Sequence, residues 1–172
     1  MTEEDWDVLF VWNNDPEVLY FSEGDNTTAW ALDDMKRMYR TISKSAYVFI
    51  AELDGTPVGE CWLRRMNLDR ILDRTLGMDV RRIDLMIGEK RLWGQGWGTK
   101  IIEILTRFGF ETCGADAIYG AGIGGHNVRS KRAFEKNGYS VDSETALPKG
   151  RKANVEWDMV LTRESYLQRA GA

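Results

Sequence analysis

Apolar positions in this chain follow two rhythms, and the switches between them mark out its elements. Over residues 4–13 and about 28–42 they recur three to four apart, the spacing of one helix face. Pro16 is expected to stop the first helix, and Trp30, Met35, Met38 and Tyr39 to form the buried stripe of the second. Residues 46–53 and 58–66 are short runs rich in β-branched and aromatic side chains. Asp54-Gly55-Thr56-Pro57 joins them as the turn of a hairpin. Residues 68–77 fit a short helix or a loop. A strand over 80–87, a helix over 97–112, a strand over 116–121 and a helix over 129–137 follow, then strands over 139–144 and 155–161. Helices and strands mixed in this way predict an α/β layer structure. No linker, repeat or low-complexity stretch interrupts it, so residues 1–172 are expected to form one domain.

Composition narrows the class. A chain of 172 residues can bury a proper core, and 43% hydrophobic residues with seven Trp argue against disorder. The net charge of −4 disfavours a general nucleic-acid surface. The local basic clusters Arg81-Arg82 and Lys149-Gly150-Arg151-Lys152 read as solvated loops. Cys61 and Cys113 offer no disulfide framework and suggest a reducing compartment. With His126 as the one histidine and no metal-ligand spacing, no metal site is expected. No apolar run nears the ~18 residues of a membrane span, and the acidic start lacks a secretory signature. A cytoplasmic protein is expected, monomeric or homodimeric.

The segment Arg91-Leu92-Trp93-Gly94-Gln95-Gly96-Trp97-Gly98-Thr99 carries the most specific chemistry. It joins an apolar strand to a helix, and three glycines on alternate positions leave main-chain N–H groups uncovered. The first turn of a helix adds unpaired donors and the positive end of its dipole, so the segment can cradle a phosphate. Spacing excludes a Walker A loop, because Gly98-Thr99-Lys100 reverses the required order. It also excludes a dinucleotide-binding loop, whose third glycine would come one residue later. A glycine-rich turn with no ligand stays open on this segment alone.

A second segment adds to it. Asn127-Val128-Arg129-Ser130-Lys131-Arg132-Ala133-Phe134-Glu135-Lys136-Asn137-Gly138-Tyr139 reads as a helix capped by Asn127 and ended by Gly138. The two segments, in this order and about thirty residues apart, resemble the two signatures of the Gcn5-related N-acetyltransferases. Trp12-Asn13-Asn14-Asp15-Pro16-Glu17-Val18 and Ile83-Asp84-Leu85-Met86-Ile87-Gly88-Glu89 further resemble the aminoglycoside 6′-N-acetyltransferases, over about residues 12–161. The first of these also occurs in acetyltransferases that modify protein N-termini.

The resemblance implies a mostly antiparallel mixed sheet of six to seven strands, splayed at an acetyl-CoA site and flanked by helices. The family begins with a strand before its first helix; here that strand is expected to be absent or very short. Implied cofactor contacts are Leu85, Met86, Ile87, Arg91, Trp93, Gly94, Gln95, Gly96, Trp97, Gly98, Thr99, Asn127, Lys131 and Phe134. The N–H of Met86 would polarise the thioester carbonyl. Asp84, a carboxylate in an otherwise apolar strand, would bind the acceptor ammonium and help remove its proton, against a structural pairing with Arg82 or Arg64. Glu23, Asp25, Asp142 and Glu144 are candidate acids around a cationic acceptor, and Trp30 and Trp62 candidate stacking partners. Many members place a Tyr where Phe134 stands, to protonate the leaving thiolate. Tyr139 and Tyr119 are candidate substitutes, unless the thiolate leaves unaided. Where related enzymes carry Asp-Pro, this chain has Gly122-Ile123. Three functions are carried forward: aminoglycoside acetylation, protein N-terminal acetylation, and non-catalytic acyl-CoA binding.

Overall fold

A computed structural model describes residues 1–25 and 29–171. A 3-10 turn, Glu3–Asp5, capped by Thr2, leads into α1, Trp6–Trp12. Among the described residues no strand precedes it, and the Met1 amino group reaches Val48 O at 3.5 Å. Pro16 opens a helix rather than only closing one. It is the first residue of α2, Pro16–Ser22, whose Asp15 cap accepts from Glu17 N at 2.9 Å and Val18 N at 3.3 Å. Proline is at home there, because the first helical N–H has no partner to lose.

Helix α3, Leu32–Ile42, starts later than the apolar rhythm suggests; the expected start at Thr28 lies outside the described residues. Met35 and Tyr39 are fully buried, whereas Trp30 stands ahead of the helix. Strands β1, Ala46–Leu53, and β2, Thr56–Arg65, meet in a two-residue turn, with Asp54 and Gly55 both at positive φ. That is the tight hairpin geometry Asp-Gly favours. Next come α4, Asp69–Leu72, and β3, Val80–Ile87, then α5, Trp97–Arg107, which runs on as a π turn, Phe108–Thr112. Strand β4, Ala117–Gly124, runs three residues past expectation. Helix α6, Val128–Lys136, and strands β5, Ser140–Ala146, and β6, Val155–Thr162, follow as expected. Helix α7, Arg163–Ala170, was absent from the apolar reading.

Among the described residues six strands form one sheet in the order β1-β2-β3-β4-β6-β5, with seven α-helices flanking it. All neighbours are antiparallel except β3 and β4, which pair only from Val80–Ala117 to Arg82–Tyr119 and then part. On one face α5 and α6 enclose a core that includes Leu63, Ile83, Ile102, Phe110, Ile118 and Met159. On the other, α1 and α3 pack Leu9, Trp12, Met35 and Tyr39 against Met86. Cys61 belongs to the first core, and burial pushes its thiol up to about 12, as suits a packing residue. Arg81 is a correction to the solvated reading. It is 8% exposed and bonds both oxygens of Asp79, because its strand position turns it inward.

Candidate active site

The parting of β3 from β4 opens a cleft of about 380 Å³. Helices α5 and α6 close one side, and α2 contributes Val18, Phe21 and Ser22. Ten of the expected cofactor contacts line it: Leu85, Met86, Ile87, Trp93, Gly94, Gly96, Trp97, Gly98, Thr99 and Asn127. Gly94 and Gly96 have φ of 76° and 89°, and a Cβ on either would meet nothing within 4 Å. Backbone conformation requires these glycines, and the space around them is free for a ligand. Gly96 caps α5, so the first amides of an 11-residue helix open on the cleft.

Four other expected contacts fall outside the lining. Arg91 is largely exposed and pairs with Glu89 at 3.4 Å, while the Gln95 amide donates to Arg91 O at 2.6 Å. Lys131 bonds Glu135 at 2.8 Å and lies over the Trp157 ring. Phe134 is 2% exposed, with its ring tip against Gly120. In their place α6 presents Arg129, Ser130, Arg132, Ala133 and Lys136. Arg129 lies over both the Phe21 and Trp93 rings, 4.3 and 4.7 Å from their centroids. The three-to-four spacing of these residues was the available signal.

Main-chain directions along β3 correct the Met86 expectation. Val80 O accepts from Met66 N on the β2 side, whereas Asp79 O accepts from Asp116 N on the β4 side. Main-chain groups alternate sides along a strand, and β2–β3 pairing continues without a bulge to Gly59–Ile87. Arg82, Asp84 and Met86 therefore turn their amides into the ladder with β2. The groups facing the gap are those of Ile83, Leu85 and Ile87, with Ile87 O already taken by Trp93 Nε1 at 2.8 Å.

A second cleft of about 310 Å³ adjoins the first, sharing Ser22, Leu85 and Met86 with it. Asp84 and Glu23 line it, as expected, together with Trp30, Trp62, Glu60, Arg64 and Arg82. Arg82 Nη2 donates to Asp84 Oδ1, while Asp84 Oδ2 is buried without a partner. The structural pairing with Arg82 is thus present, and the second oxygen is left without a partner. The Glu23 carboxyl is pushed up by burial, with Lys152 opposing and Asp84 adding.

The other candidate acids are engaged elsewhere. Asp25 accepts from Lys152 N at 2.9 Å and pairs with Arg151; Asp142 pairs with Arg74 at 2.8 Å; Glu144 accepts from Trp157 Nε1 at 2.8 Å. Tyr139 shares a 2.7 Å hydrogen bond with Thr106 and is 3% exposed, and Tyr119 is equally deep, so neither reaches the cleft.

The roof common to both clefts is the end of α2. Lys152 Nζ donates to Tyr20 O and Glu23 O at 2.6 and 2.5 Å, correcting its reading as a solvated loop residue. His126 Nε2 donates to Tyr20 O at 3.1 Å, and Asn127 Nδ2 to Phe21 O at 3.1 Å. These donors satisfy the last carbonyls of α2.

A sheet split beside a glycine-capped helix defines the class, and sequence comparison agrees. The model of the acetyltransferase (GNAT) domain family matches residues 1–140, and the chain belongs to that family. No curated protein matches it. Among solved structures it is similar to aminoglycoside acetyltransferase AAC(6')-Ib in complex with coenzyme A. The TM-score is 0.78 at 23% identity, covering 100% of this chain and 96% of that one. It is also similar to spermidine N-acetyltransferase from Vibrio cholerae in complex with CoA and spermine. Here the TM-score is 0.77 at 14% identity, with 97% and 95% covered.

Proposed function

We propose that the protein transfers an acetyl group from acetyl-CoA to an amine of a cationic small molecule, with the 6′-amine of aminoglycosides as the favoured acceptor. The observation that carries this is the junction of the two clefts: one with glycine-freed amides at a helix N-terminus, the other lined by carboxylates. The residues fit the cosubstrate. The α5 amides and neighbouring loop hold the pyrophosphate, and Arg129, Arg132 and Lys136 supply positive charge beside it. The gap-side groups of Ile83, Leu85 and Ile87 extend hydrogen bonding along the pantetheine arm. An N–H of Leu85 or Ile87 polarises the thioester carbonyl as charge builds on its oxygen.

On the acceptor side, Asp84 Oδ2 takes the ammonium and Arg82 fixes the carboxylate. Trp30 and Trp62 offer flat faces to a sugar ring. Direct attack requires no covalent enzyme intermediate, and much of the acceleration comes from holding both reactants in line. Among the described residues no tyrosine lines the cosubstrate cleft, so no tyrosine acid has a part in this scheme. That the neighbouring structures hold coenzyme A, kanamycin and spermine supports a cationic acceptor.

CoA-thiol release from acetyl-CoA tests the reading, with kanamycin, tobramycin, amikacin, spermidine and N-terminal peptides as acceptors. Release with aminoglycosides is expected. Asp84→Asn should lower kcat/KM by about 10- to 100-fold, the worth of one charge-assisted hydrogen bond. Release with spermidine alone moves the acceptor to polyamines, and release with peptides alone moves it to protein N-termini.

A further inference from the structure

Glu60 is the most deeply buried carboxylate in the acceptor cleft, at 7% exposure, and it has no part in the scheme above. It lies on β2 directly opposite Met86, and Met86 lines both clefts. Opposite residues of an antiparallel pair point to the same face. The Glu60 carboxylate therefore approaches the junction from the β2 side. Asp84, opposite Trp62, stands two residues further from the junction along β3.

The two acids also differ in what holds them. Asp84 is tied to a guanidinium, which suits an anchor. Glu60 Oε2 accepts from Trp62 Nε1 at 3.0 Å, with the Tyr39 hydroxyl beside it, and among the described residues no cation pairs with it. Tyr39 in turn accepts from Asn13 Nδ2 at 2.9 Å, which locks the hydroxyl in place. A carboxylate on neutral donors, inside a cleft built for an ammonium, is free to change protonation state.

We propose that Glu60 is the base of the reaction: it takes the proton of the acceptor ammonium while Asp84 holds the charge. The assignment rests on the acetyl-transfer reading of the two clefts. The steps balance as follows. The ammonium gives one proton to Glu60, leaving a neutral amine and a carboxylic acid. The amine lone pair forms the C–N bond at the thioester carbon, and the C–S bond breaks with its electron pair on sulfur. The second nitrogen proton goes to the thiolate, and Glu60 returns its own proton to solvent through the open cleft.

Burial pushes the Glu60 carboxyl up to about 7. Tyr39 and Trp62 oppose the shift, and Glu23 and Asp84 add to it. The other charges on the cleft wall are Arg64 and Arg82. A base titrating near the working pH is efficient. The base acts when ionised, so kcat/KM should rise with pH and level off above about 7.

The test is the pH profile of kcat/KM for the wild type, Glu60→Gln, Glu60→Asp and Asp84→Asn, with kanamycin and spermidine as acceptors. CoA affinity by calorimetry checks that each variant is folded. The expected Glu60→Gln enzyme binds CoA like the wild type, loses about 10²–10⁴ in kcat/KM, and loses the acid limb near pH 7. Glu60→Asp retains a limb at intermediate rate, and Asp84→Asn keeps the limb while raising KM. An active wild type whose acid limb persists in Glu60→Gln at near-normal rate overturns the role of Glu60 alone. A wild type silent with every amine overturns the acetyl-transfer reading and this assignment with it.

Discussion

Phe134 shows how one contact removes a chemical option. A Cβ on Gly120 would lie 2.4 Å from the tip of the Phe134 ring, so that ring tip is pressed on the β4 backbone. A tyrosine hydroxyl at that tip would have to push β4 aside. Phe134→Tyr should therefore lower the melting temperature without raising kcat, as steady-state kinetics and thermal unfolding can check. Gly120→Ala meets the same ring from the other side and should cost about 1–3 kcal/mol, or roughly 2–4 °C of melting temperature per kcal/mol. The sequence announced the missing hydroxyl at Phe134 but not its cause, because the facing residue lies fourteen positions away on another element. Glu60 was silent for a related reason. Within Val58-Gly59-Glu60-Cys61-Trp62 it reads as an ordinary polar residue of a strand, and only its pairing with Met86 brings it to the cleft.

Among the elements, β4 decides the shape of the site. Its pairing with β6 slips between Gly120 and Ile123, and Gly122 N donates to Asp158 Oδ1 at 2.9 Å. Asp158 is 3% exposed and also accepts two hydrogen bonds from Arg70, each 2.9 Å, and one from Ser143. Burial pushes its carboxyl up, yet Arg70, the Gly122 amide and Ser143 outweigh that and hold it below the usual range. The stabilisation is therefore complete above the unfolded value, near 3.8, and is lost as pH falls through the lower folded one. Arg70→Ala should cost about 1–3 kcal/mol at neutral pH, since Arg70 is partly exposed and water replaces some of its bonds. Asp158→Asn should flatten the acid limb of melting temperature against pH. The strands and α5 were legible because their apolar periods are strong, and α6 because Asn127 caps its start and Gly138 closes its end. The slip in β4 was not, because Ala121-Gly122 carries no side-chain pattern and the carboxylate that holds it comes from β6. Helix α7, with an exposed Leu167, has too weak an apolar stripe to announce itself.

At the scale of the whole molecule, charge and topology act together. The chain carries a net charge of −4, and the cleft proposed for the acceptor gathers Glu23, Glu60 and Asp84 against Arg64 and Arg82. For a polycationic acceptor such as kanamycin, KM should rise several-fold between about 50 and 500 mM salt as screening shortens the reach of these charges. KM for acetyl-CoA pairs the opposite charges and is measured alongside. A weaker salt effect on a singly charged amine than on kanamycin supports the field as the cause. The end of α2 has a wider consequence. Two distant segments, His126-Asn127 and Lys152, grip its carbonyls, and its Ser22 is a wall of both clefts. If CoA and an acceptor occupy the two clefts as proposed, any shift of Ser22 on binding one is felt by the other. Whatever factor CoA applies to the affinity of an acceptor, the acceptor must apply to the affinity of CoA. Titrating CoA with and without kanamycin would read any such coupling, which this single turn of helix is placed to carry.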